Sequence, residues 1–140
     1  MPGPFRHPLR VRFHECDPQG VVFNANFLAY ADIAMTELYR EAFGSWQAAV
    51  DEGGVDMVVA EANVRYLAPL RFDEEVELVA ALTRIGTTGT TTEIAVERDG
   101  EAVAVVTLRH VMVDHESRAK APIPDSWRAG LSRYASAGAG

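Results

Sequence analysis

The chain has 140 residues, 48% of them hydrophobic, and a formal net charge of −7. That length supports one domain with its own core, and the acidic balance argues against nucleic acid as the main partner, because phosphate binding wants a basic face. A single cysteine, Cys16, rules out an internal disulfide and fits a reducing compartment, so a cytoplasmic protein is expected.

The first eight residues, with Pro2, Pro4 and Pro8, read as an extended lead-in without the apolar segment of a signal peptide. No run of about 18 apolar residues offers a membrane span. Leu9 to Glu15 reads as a strand, because Leu9, Val11 and Phe13 alternate with Arg10, Arg12 and His14. Asp17-Pro18-Gln19-Gly20 is turn chemistry: proline fixes φ and glycine frees the next backbone step. From about Asn24 to Phe43 one long helix is predicted. Its stripe is Phe27, Tyr30, Ala31, Ala34, Met35, Leu38 and Ala42, with Asp32 and Thr36 mostly off it. Gly44 is its expected stop.

The remainder reads mostly as strand. Met57 to Leu67 alternates, with Val58, Ala60, Ala62, Val64 and Tyr66 together on one face and Glu61, Asn63 and Arg65 on the other. Strands follow over Glu75 to Arg84 and Thr90 to Arg98, and Asp99-Gly100 marks a hairpin. Glu101 to Asp114 is the longest strand. It is apolar on both faces over Val103 to Val106, which predicts an interior strand or one covered by a partner. A short helix is expected to begin at Pro124-Asp125-Ser126. One long helix covers one face of such a sheet, so oligomerisation is expected to cover the rest.

The run Asp17-Pro18-Gln19-Gly20-Val21-Val22-Phe23-Asn24-Ala25-Asn26-Phe27 resembles hotdog-fold acyl-CoA thioesterases of the 4-hydroxybenzoyl-CoA thioesterase type. Val64 to Glu74 and Arg84-Ile85-Gly86-Thr87-Thr88 are similar to the same family. The resemblance implies an α+β hotdog fold, a long central helix wrapped by a curved antiparallel sheet of about five strands. It implies one domain over residues 1–140, with a core at about 8–116 and a short helix and tail over 124–140. It further implies an acyl-CoA substrate, no metal or cofactor, no membrane partner, and a homodimer or homotetramer with active sites at the subunit interface.

By the same resemblance Asp17 is the catalytic carboxylate, acting as nucleophile or as base for water. The backbone N–H near Asn24 polarises the thioester carbonyl. Many bacterial members carry histidine where Asn24 stands, so Asp17 acts here without an imidazole beside it. Substrate contacts are implied at Gly20, Val22, Phe23, Asn26, Phe27 and Met57, and at Arg84 for the CoA phosphates. Arg65, Arg71, Arg109, Arg118 and Lys120 are further cations in that region.

Bland readings stand beside these. Asp17 also suits an Asx turn, Asn24 and Asn26 suit helix caps, and Glu61, on one face with Asn63 and Arg65, suits a surface or interface salt-bridge network. Cys16 neighbours two acids, which raise a thiol pKa, so it is a poor nucleophile. His7, His14, His110 and His115 lack metal-ligand spacing and read as surface or strand histidines. A binding-only acyl-thioester protein and an acyl-carrier-protein thioesterase are the alternatives. A hotdog hydratase is disfavoured, because no histidine lies between Asp17 and the helix.

Overall fold

A computed structural model of the chain describes residues 2–139. Five strands form one antiparallel sheet, β1 (Phe5–Arg10), β2 (Val55–Tyr66), β3 (Glu75–Ile85), β4 (Gly89–Arg98) and β5 (Glu101–Asp114), in the spatial order β1-β3-β4-β5-β2. Helix α1 (Asn26–Phe43) packs on one face, and the short helices α2 (Trp46–Gly53) and α3 (Asp125–Ser132) pack near its C-terminal end. This is the hotdog arrangement that the resemblance implied.

Period-2 alternation decides what faces α1. Val76, Leu78, Ala80 and Leu82 of β3 meet Ile94 and Val96 of β4 and Ala104, Val106 and Met112 of β5, all buried. Against them α1 buries Phe27, Tyr30, Ala31, Ala34, Met35, Leu38 and Tyr39. Small residues at 31 and 34 let the helix approach the sheet closely. Gly44 ends the helix at φ 80, a conformation that favours glycine. Asp99 and Gly100 both take positive φ in the β4–β5 hairpin. β5 is an interior strand, as its two-faced apolar run requires.

Three expectations need correction. The first strand lies at Phe5–Arg10, not Leu9–Glu15: β1 is an edge strand that tolerates Pro8, and Phe13–Glu15 closes into a 3-10 turn. The stretch after Gly44 holds a second helix, α2, whose Ser45 hydroxyl accepts the Ala48 N–H at 3.2 Å. In β2 the register slips between Val59 and Glu61, leaving Ala60 unpaired. That bulge puts Met57 and Val59 on the helix side together with Ala62, Val64 and Tyr66, and turns Val58 outward opposite Val111.

Away from the helix the sheet carries Val79, Ala95, Val105 and Val111, all half-buried. β2 is an edge strand, and Val59, Tyr66 and Leu67 on or beside it are exposed. No helix among the described residues is long and apolar enough to cross a membrane.

Candidate active site

The segment from Glu15 to Phe27 is a narrow hairpin that delivers the chain into α1. The Asp17 N–H donates to the Val21 carbonyl at 2.9 Å, the Gly20 N–H to the Asp17 carbonyl at 2.9 Å, and the Phe23 N–H to the Glu15 carbonyl at 2.9 Å. Gly20 sits at φ 81, which the tight turn demands. Val22 is buried and its N–H donates to Leu70 at 2.7 Å, pinning the outer arm to the core. The inner arm is held by Glu15, whose carboxylate accepts from the Tyr30 hydroxyl at 2.8 Å and from the Arg12 N–H at 2.7 Å. Burial and this bond to Glu15 push the Tyr30 phenol well above its ordinary range, so it stays a donor.

Asp17 is half-buried. Its Oδ1 accepts the Gln19 N–H at 2.8 Å, the Asx turn that its sequence context allows. Its second oxygen has no hydrogen-bond partner among the described residues. Cys16 beside it has its thiol pushed up by burial and by the Glu15 and Asp17 charges, which leaves it a weak nucleophile.

At the helix start two peptide planes are held in fixed orientation. The Phe23 carbonyl accepts the Asn26 N–H at 2.9 Å, and the Asn24 carbonyl accepts the Tyr66 hydroxyl at 3.1 Å and the Phe27 N–H at 3.3 Å. In a trans peptide the N–H points opposite the carbonyl. Holding those carbonyls therefore aims the N–H groups of Asn24 and Ala25, neither of which meets an acceptor among the described residues. The Asn26 side chain donates to the Glu15 carbonyl at 2.7 Å, so it ties the hairpin to the helix rather than capping it.

The residues expected at the site fall into three places. Asp17, Gly20, Val22, Phe23, Asn24 and Asn26 share the hairpin and helix start. Phe27 is buried, packed edge-on to Tyr30 and Tyr66 with centroids 5.7 Å and 5.6 Å away. Met57 lies farther along α1, in a cavity of about 510 Å³ between the helix and the β2–β5 pair. Arg84 is separate from both, in a surface recess of about 270 Å³ that it shares with Arg109 and Lys120.

Glu61 lies 3.9 Å from Arg109 as an exposed ion pair, and Asp56 pairs with His115 and Arg118 at the other end of β2. Three residues that sequence reasoning passed over belong in this account. Tyr66 orients the helix-start peptide, and Asp32 and His110 line the cavity. His110 was legible in principle: it falls in the even-numbered register of β5 with Leu108 and Met112, the face turned to the helix.

Comparison with known proteins agrees with the fold. An acyl-CoA thioester hydrolase of Escherichia coli, YbgC, is 38% identical over 79 residues, covering 56% of this chain and 58% of that protein. The chain thus spans less than two thirds of that relative's length. A putative esterase of Aquifex aeolicus is 30% identical over 110 residues, 79% of this chain and 85% of that one. A solved structure from Pseudomonas aeruginosa superposes with a TM-score of 0.84 at 27% identity, covering 95% of this chain and 92% of its own. Residues 11–131 match the family model, from just before the 3-10 turn that precedes Asp17 to the last turn of α3, and the chain belongs to the Thioesterase-like superfamily.

Proposed function

We propose that the protein is an acyl-CoA thioesterase, cleaving a CoA thioester to a free acid and CoA. One observation carries the reading: a single hairpin joins a carboxylate with one oxygen unpartnered among the described residues to a helix start with two pre-aimed N–H groups that meet no acceptor among them. Thioester hydrolysis needs help at two points, attack on the carbonyl carbon and charge on its oxygen. Asp17 supplies the first, by attacking directly or by drawing a proton from water. The Asn24 and Ala25 N–H groups supply the second, and Tyr66 acts through them as a positioning residue. The kinship with a named acyl-CoA thioester hydrolase supports the choice of substrate.

The acyl group runs from the helix start along α1 past Met57, and the cations near Arg84 are available to the CoA phosphates. The exposed β2 edge, with Val59, Tyr66 and Leu67, supports assembly into a homodimer or homotetramer that covers the open side of the cavity. A lone cysteine fits a cytoplasmic location.

The test is thiol release from a panel of aromatic, short, medium and long acyl-CoAs, with the mass in solution measured at micromolar concentration. Selective release from a species of at least twice the chain mass is expected. No release from any acyl-CoA, with release from acyl-carrier-protein thioesters, moves the substrate to the carrier protein. No release from either leaves a binding protein, and a monomeric mass sinks the assembly.

A further inference from the structure

The cavity between α1 and the β2–β5 pair has a polar floor that hydrolysis at the helix start does not use. Met35, Met57, Val59, Ala62 and Leu108 make its walls apolar, and its volume of about 510 Å³ is that of a small-molecule site. His110 lines it, is 5% exposed, and keeps its Nδ1 buried without a partner among the described residues. Burial holds the imidazole down to about 4, with Asp32 pulling weakly the other way. The ring is therefore neutral at pH 7 and presents one donor and one acceptor nitrogen. Nδ1 is shielded even from the cavity, so a polar group that enters meets the other ring nitrogen, Nε2.

Two rulers give the reach from the reacting end to this floor. Tyr66 bonds the helix start and Val59 faces His110 seven positions back along β2, which is about 20 Å at strand spacing. Along the helix, Ala25 to Tyr39, whose ring lies 6.4 Å from that of His110, is also about 20 Å. A one-ring acyl group held at the helix start stops well short of His110, whereas an extended chain reaches it.

We infer that His110 is a specificity-determining residue on the wall of an acyl chamber, about 20 Å from the reacting end, selecting long-chain acyl thioesters whose terminal hydroxyl falls beside it. This rests on the thioesterase reading above. The terminal hydroxyl exchanges its water for the imidazole, while a plain methyl end leaves the ring unpaired.

The experiment compares kcat/KM for an ω-hydroxy long-chain acyl-CoA and its unsubstituted counterpart of equal length, in the native protein, His110→Leu and His110→Gln. The native protein should prefer the hydroxylated chain about five- to tenfold, the worth of one neutral hydrogen bond. His110→Leu should bring the ratio to about one, and His110→Gln should restore part of it. A native ratio of one, or the same ratio in His110→Leu, overturns the inference. Binding of the two free acids to Asp17→Asn, which keeps His110, separates the failures. If no thioester is cleaved but the hydroxy acid binds several-fold tighter, the hydrolase reading falls and the His110 site stands. Equal binding, or none, removes the site. It also decides the matter should His110→Leu fail to fold.

Discussion

Asp17→Asn is expected to lower kcat/KM for thioester hydrolysis by at least about two orders of magnitude, mostly in kcat. The substitution is a clean one because of the local geometry. Asparagine forms the same Asx turn, so its amide oxygen can accept the Gln19 N–H that Oδ1 accepts now at 2.8 Å. The hairpin, the Glu15 strut and the helix-start peptides keep their partners. What disappears is the negative charge and with it both roles open to the residue, attack on carbon and proton abstraction. Asp17→Ala should lose the same activity and in addition about 1 kcal/mol of stability with the turn bond. Steady-state thiol release with unfolding curves for both variants is the check. Turnover in Asp17→Asn within about tenfold of the native rate would remove Asp17 from the chemistry.

The second large effect concerns stability. His110 titrates at about 4 in the folded protein, because burial disfavours its charged form, against about 6.5 in the unfolded chain. Above about pH 6.5 both states are neutral and the residue contributes nothing to pH dependence. As pH falls below that, the unfolded chain takes up a proton that the folded one refuses, so stability drops until the folded imidazole also charges near pH 4. The loss across that window is about 3 kcal/mol. Urea midpoints at about pH 7.5 and about pH 4.5 should therefore fall much further for the native protein than for His110→Leu. Parallel pH profiles in the two proteins would show that the imidazole charges freely in the fold.

Much of the architecture was legible because the sheet alternates cleanly where it is interior. β5 runs over Glu101–Asp114, as the periodicity reads, and α1 begins within two residues of its expected start. The misreadings sit where local pattern and tertiary pairing disagree. Leu9, Val11 and Phe13 alternate like a strand, yet Phe13 is 78% exposed and belongs to a turn. Strict alternation could not foresee the slip at Ala60, because a bulge is a property of two strands rather than one. α2 went unread because it is eight residues long and buries only Val50.

At the site, the turn around Asp17 could be read from residue preferences alone. The role of Tyr66 could not, since it reaches Asn24 across 42 positions of sequence. His110 looked ordinary as a lone histidine, and only the packing of α1 against β5 gives it a cavity to face.

The bulge in β2 also bears on how this chain can vary in length. Ala60 is an extra residue opposite the step from His110 to Arg109, and all pairs on either side of it would survive its removal. Changes of length are ordinarily confined to loops. Here the middle of a strand holds a spare residue, so a one-residue deletion can be healed without moving Met57 or Val59 off the cavity wall. The bend of the strand would go, and the alternation on each side would join into one continuous run.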